Sequence, residues 1–158
     1  MTDNYREKFE AGLSFQDFIA DQLRKSEPCI VLVSYSSQKY QNEHGENANG
    51  IEIKFDNKVN ETGNLYFEVE EKTDPSIRNF TPSGIMRNDN TWLYLIGNYK
   101  RAWLFSKKQL QAVFKDKECW KSYGIKDAGN ETSNGFTIPT KNVNRICLQK
   151  YVFTEDTA

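Results

Sequence analysis

Apolar residues recur at helical spacing over residues 4 to 25, where Phe9, Leu13, Phe15, Phe18, Ile19 and Leu23 alternate with charged positions. The spacing predicts an amphipathic helix that stops at Ser26 and Pro28. Cys29 to Tyr35 (CIVLVSY) is a short, nearly continuous β-branched run, the pattern of a strand buried on both faces. The polar stretch from Ser36 to Gly50 reads as a loop. Ile51, Ile53 and Phe55 then share one strand face, and Glu52, Lys54 and Asp56 share the other. In the next segment Leu65, Phe67 and Val69 oppose Tyr66, Glu68, Glu70 and Lys72. Asn60, Gly63 and Asn64 between the two segments are turn residues, which predicts a hairpin whose acidic faces adjoin.

Thr73 to Asn90 holds Pro75, Pro82 and Gly84 with little periodicity and reads as a long loop. Thr91 to Ile96 and Arg101 to Phe105 form a second predicted hairpin, broken at Gly97 and Asn98. Ser106 caps a helix from Lys107 to about Lys115 that buries Leu110, Val113 and Phe114. Gly124 to Gly135 is loop-like. Thr140 caps a short helix bearing Val143, Ile146 and Cys147, with a strand after it. The expected organisation is one α/β domain over residues 1–158, with a core at about 4–115 and a C-terminal extension at 116–158.

Composition narrows the function classes. The chain has 158 residues, 37% hydrophobic, 13% aromatic and 27% charged, which suits a globular protein with long polar loops. A net charge of -1 provides no global positive field to capture a polyanion. The charge is uneven, however: residues 1 to 99 carry 10 basic and 16 acidic side chains, and residues 100 to 158 carry 11 and 6. An acidic strand pair beside a basic C-terminal half suits metal-assisted phosphodiester chemistry, with carboxylates for the cation and lysines for flanking phosphates. Cys29, Cys119 and Cys147 are odd in number and form no CxxC pair, so a zinc ribbon or disulfide scaffold is excluded. No run reaches the ~18 apolar residues of a membrane span, and charge from Asp3 onward is unlike a secretory signal. A cytoplasmic location is expected, and the sequons at Asn60, Asn79 and Asn130 are discounted. No Gly-rich phosphate loop, GxSxG elbow or HExxH occurs, which removes nucleotide kinases, serine hydrolases and zinc peptidases.

The candidate chemistry lies in Asp56 and the Glu70-Glu71-Lys72 triplet. An acid and a lysine two residues apart on a strand share a face, ~7 Å apart along it, with room for a cation and a water between them. Asp56 on the neighbouring strand supplies a second carboxylate, and the backbone carbonyl of Glu71 a third oxygen. Mg²⁺ accepts such an oxygen-only set. The lysine then orients or deprotonates the attacking water, or offsets charge in the transition state. Chance predicts about two acid-x-Lys triplets, and three occur: Glu52-Lys54, Asp56-Lys58 and Glu70-Lys72. Only the third follows a separate predicted strand that ends in an acid.

The order helix, buried strand, acid-bearing strand, ExK strand resembles the PD-(D/E)XK nuclease-like superfamily, over roughly residues 4 to 115. Asp56 in GIEIKFD matches the family's first acid, and Glu70 and Lys72 in YFEVEEK match its D/E-x-K. The resemblance implies a restriction-endonuclease-like fold with a mixed central β-sheet flanked by helices. It also implies phosphodiester hydrolysis in DNA with Mg²⁺ (or Mn²⁺) held by Asp56, Glu70 and Glu71, and Lys72 positioning the water. Many members add a first-helix acid, a part open to Asp17 or Glu10. Small members often pair into homodimers to cut two strands. Phe55 replaces the usual proline. Glu52 and Glu68 share faces with Asp56 and Glu70, and a shift of pairing by two would nominate them instead.

Lys100, Arg101, Lys107 and Lys108 cluster near a strand start and a helix start, a solvated edge or a set of phosphate contacts. Trp92, Tyr94, Tyr99, Trp103 and Trp120 fill a core or stack on bases. His44, alone in a polar loop, reads as solvated. Two further readings stand beside the nuclease: a non-catalytic DNA- or protein-binding domain on the same scaffold, and a carbohydrate-binding β-sandwich, against which the two helices argue.

Overall fold

The computed structural model describes residues 3–26 and 37–153. The strand expected at Cys29 to Tyr35 lies outside the described residues. Helix α1 (Asp3–Ser26) forms where the periodicity predicts it, and Phe15, Ile19 and Leu23 at i, i+4 and i+8 are its buried stripe. Arg24 and Lys25 in its last turn complement the helix dipole. Residues 37 to 50 are not simply loop: Ser37 accepts from the Tyr40 N–H and starts α2 (Gln38–His44). Within it His44 is exposed and stacks on Tyr40 with centroids 4.0 Å apart.

The remaining elements in chain order are β1 (Ile51–Phe55), α3 (Val59–Thr62), β2 (Asn64–Glu71), β3 (Thr81–Pro82), β4 (Leu93–Asn98) and β5 (Arg101–Ser106). They continue with α4 (Lys107–Lys115), α5 (Lys117–Tyr123), β6 (Lys126–Gly129), β7 (Ser133–Pro139), α6 (Thr140–Val143) and β8 (Gln149–Val152). Among the described residues the strands make two four-stranded sheets rather than one central sheet. The first has the order β1-β4-β5-β8 and is mixed, with β1 parallel to β4; the second, β3-β2-β7-β6, is antiparallel.

The expected hairpin between β1 and β2 is therefore absent, since the two strands lie in different sheets. The connecting residues hold α3, whose Val59 is fully buried and whose left-handed Gly63 returns its N–H to the Val59 carbonyl. A buried helical turn redirects the chain where a tight turn would have folded it back. The β4–β5 hairpin forms as expected, and the Asn98 side chain accepts from Lys100 N and Arg101 N in its turn. Ser106 caps α4 by accepting from Gln109 N.

The first sheet is covered on both faces. Leu93, Leu95, Ile51 and Ile53 pack against α1, while Tyr94, Ile96, Trp103 and Phe105 pack against Leu65, Phe67, Phe136 and Ile138 of the second sheet. The Phe67 and Phe105 rings meet edge to face at 5.2 Å. The segment after Lys115 is no extension: β7 is the central partner of β2, and β8 completes the first sheet. Among the described residues no helix is long and apolar enough to cross a membrane.

Candidate functional site

The expected trio does not assemble. Asp56, just beyond β1, spends its carboxylate on backbone N–H groups, Oδ1 accepting from Lys58 (3.1 Å) and Oδ2 from Tyr66 (3.3 Å). Burial raises its pKa, and those N–H groups oppose the rise. Asp56 thus pins the start of β2 to the end of β1. Glu70 lies four residues beyond Tyr66, roughly 13 Å of strand away. A β-bulge at Val69, where the β2–β7 register shifts between Glu68 and Glu70, also turns it to a different face. Glu70 accepts from Asn134 (2.9 Å) and lines a shallow hollow with Phe114 and Asp127.

The other predicted residues are equally dispersed. Lys72 donates to the Pro75 carbonyl (2.9 Å) and lies over the Phe80 ring. The Glu71 carboxylate faces Arg87 at 3.5 Å, and its carbonyl, the expected third metal oxygen, accepts from Thr81. Asp17 is exposed on α1, and Glu10 pairs with Arg6. The α1 residue that reaches a charged cluster is Gln16. Among the described residues no group of three or more Asp, Glu, His or Cys side chains is placed to hold one ion, so the donor set Asp56, Glu70 and Glu71 does not fit Mg²⁺. Of the basic candidates, Lys107 is buried and donates to Asp89 (2.7 Å) and the Arg87 carbonyl (2.6 Å). That removes it as a phosphate contact. Lys100 and Lys108 are exposed, and Arg101 bonds Asn60. Trp92 is 61% exposed, whereas Tyr94, Trp103 and Trp120 are buried in the core.

A different charged group is assembled two residues earlier. Glu52 and Lys54 alternate with Ile51 and Ile53, so they face away from α1, beside Tyr94 and Ile96 of the paired strand. Glu52 is 1% exposed, and its Oε1 lies 2.7 Å from Lys54 Nζ. Glu46, in the turn after α2, lies 3.7 Å from the same ammonium and accepts from Ile53 N (3.0 Å) and Gln16 (3.5 Å). Burial works against the Lys54 charge, but Glu52 and Glu46 outweigh it and raise its pKa. Burial also opposes the Glu52 charge, and Lys54 reverses it, leaving that pKa lowered. For Glu46 burial prevails over Lys54 and the pKa is raised. The Glu52 oxygens and the buried Tyr94 hydroxyl lack a hydrogen bond of good geometry. Burial, reinforced by Glu52, holds the Tyr94 pKa well above its usual value.

Glu68 completes the neighbourhood and adds to the field that raises the Lys54 pKa. Its carboxylate is fixed at both ends: Ser83 donates to Oε1 and Ser133 to Oε2, each at 2.7 Å. Because the single Ser133 proton goes to Glu68, the Tyr66 hydroxyl donates to Ser133 (2.7 Å). Arg87 donates to Ser83 (3.2 Å). Ser83 has no exposed surface, and at Gly84 (φ +50°) a Cβ would collide with the Glu68 carbonyl oxygen. The loop is therefore pressed onto β2 at this acid. Lys54, Asp56, Tyr66 and Glu68 line a half-open cleft of ≈ 670 Å³, whose floor includes Tyr94 and Ile96.

In the sequence Glu52-Lys54 is one of three acid-x-lysine triplets, and a shift of pairing by two nominates Glu52 and Glu68. Nothing in the pattern marked Glu46, Ser83 or Ser133, which join the group only through tertiary contacts. Compared with known proteins, the chain matches no family model, and no curated protein and no solved structure is similar to it.

Proposed function

We propose that this chain is a nuclease that hydrolyses phosphodiester bonds in DNA, built on a restriction-endonuclease-like variation of the two-sheet α/β fold. Its acid-x-lysine pair is Glu52 and Lys54, not Glu70 and Lys72. The observation that carries this reading is the burial of Glu52 against Lys54 beside a second carboxylate, with Lys54 at the wall of a cleft. A buried ion pair is a poor way to stabilise a fold, and perturbed titratable groups in a cleft mark functional sites.

Each group has a role that its environment supports. Lys54, with its raised pKa, stays protonated at neutral pH. It therefore offsets charge developing on the phosphate and is not the base. Glu46, with its pKa raised by burial, is suited to accept a proton from water. Glu68, locked by two hydroxyls, keeps a fixed negative edge that orients Lys54. Mg²⁺ commonly binds through one or two carboxylates, with waters and substrate phosphate completing its shell. Of this group Glu52, whose Oε2 has no hydrogen-bond partner, would hold it, and it would neutralise phosphate charge.

The test is cleavage of labelled DNA by purified protein with Mg²⁺ or Mn²⁺. Glu52→Gln and Lys54→Met should each lower the rate at least ~100-fold, with circular dichroism showing an intact fold. Glu70→Gln and Lys72→Met should stay within about twofold, because both side chains lie outside the cluster. Full activity in Glu52→Gln would end the assignment.

A further inference from the structure

The depth of Glu52 constrains what can reach it. At 1% exposure it does not present its carboxylate to a molecule lying across the surface. Lys54 lines the cleft, which gives a phosphate a way to its ammonium. A cleft of ≈ 670 Å³ falls within the ~300–1,000 Å³ of pockets that take one small molecule, so it has room for a single nucleotide and not for a duplex. A nucleotide enters a recess of that size only when it is unpaired or turned out of the stack.

The lining agrees with a nucleotide. Tyr66 supplies an aromatic wall, and Lys54 and Lys58 supply cations. Asn57 and Asn130 supply amides at the mouth. The Asn130 oxygen is taken up by Thr132 and Ser133 backbone N–H groups, which leaves its NH₂ as a donor. Asp56 and Glu68 accept hydrogen bonds within the protein at both carboxylate oxygens; their charge remains, and Lys54 and Lys58 are the cations of the lining that offset it for an incoming phosphate.

We infer that the cleft beside Glu52 and Lys54 receives one unpaired nucleotide of a DNA strand, with its base against Tyr66 and its phosphate at Lys54, so that unpaired DNA is preferred over intact duplex. The inference rests on the proposed nuclease site and specifies its substrate class.

Fluorescence anisotropy in EDTA tests it, with a labelled oligothymidylate and a labelled blunt hairpin duplex as probes. Wild-type protein should bind the single strand at least about tenfold more tightly. Thr137→Trp, which fills the cleft from β7, and Tyr66→Ala should each lose about tenfold, while Tyr66→Phe keeps the ring and the affinity; stacking on one aromatic is worth ~1–3 kcal/mol, and ~1.4 kcal/mol is tenfold. Thr137→Trp carries the test if Tyr66→Ala does not fold. Equal affinity for duplex, or unchanged single-strand binding in Thr137→Trp, overturns the inference. Cleft-dependent single-strand binding with no cleavage of any DNA supports it and removes the nuclease reading instead. Duplex cleavage insensitive to Thr137→Trp removes the inference and leaves the nuclease.

Discussion

Glu52 and Lys54 depend on each other unequally. The lysine side chain is 39% exposed, so it tolerates loss of the acid better; the acid is buried and does not tolerate loss of the lysine. Removing the cation from a buried pair typically costs ~3–5 kcal/mol, and the partial exposure of Lys54 puts Lys54→Met near the lower end, about 3 kcal/mol at neutral pH. The pH dependence follows from the direction of each shift. In the wild type the Glu52 pKa is held below 4.5, so the pair's contribution is present above that value and lost as pH falls through the folded-state pKa. In Lys54→Met burial dominates and raises the Glu52 pKa, so protonation relieves the unpaired charge and the deficit shrinks as pH falls from 7 toward ~4.5. Urea melts of both proteins across that window should converge on the acid side; a constant difference would show that Glu52 is not the buried partner. Strand alternation placed Glu52 and Lys54 on one face, as it did every acid-x-lysine triplet. It carried no information on which triplet would be buried, because that depends on what covers the face.

At the scale of elements, β2 and the Ser83-Gly84 turn act as one unit. The bulge at Val69 lets Tyr66 and Glu68 face the cleft while Glu70 faces elsewhere, and the turn clamps Glu68 from the side. Ser83→Ala leaves the Glu68 Oε1 without its donor in a half-buried setting, at a cost of about 1–3 kcal/mol. Thermal denaturation should therefore show a clear loss for Ser83→Ala. The same change at Ser76, an exposed loop residue, should stay within about 0.5 kcal/mol; equal behaviour of the two would mean that the clamp is not structural. Elements with one apolar face, α1, α4 and the β4–β5 hairpin, were legible because periodicity reports burial directly. The bulge was not, since period-2 alternation carries on through LYFEVEEK as though the strand were regular. The β1–β2 hairpin failed for a related reason: Asn60, Gly63 and Asn64 are good turn residues, but buried Val59 makes the connection a helical crossing between sheets.

The whole molecule is held together by chain that looked like an appendage. β7 runs between β2 and β6, and its Phe136 stacks on Phe67 (5.4 Å) and Phe114 (5.3 Å). Phe136 and Ile138 have no exposed surface. Nothing in residues 133–139 advertises a central strand: Ser133, Asn134 and Gly135 read as loop, and only Phe136 and Ile138 alternate. A chain ended at Asp116 would lose β6, β7 and β8 together, leaving β2 with only the two-residue strand β3 beside it. Leu65 and Phe67 would then lose the aromatic layer that covers them. Full burial of one large apolar side chain contributes roughly 1.5–3 kcal/mol, and a whole domain holds only ~5–15 kcal/mol of net stability. Uncovering several such residues exceeds what remains. Residues 1–116 expressed alone should show no cooperative urea transition and no dispersed amide spectrum, whereas the full chain shows both. A folded 1–116 fragment would mean that the two sheets are separable and that the cleft between β1 and β2 does not depend on β7.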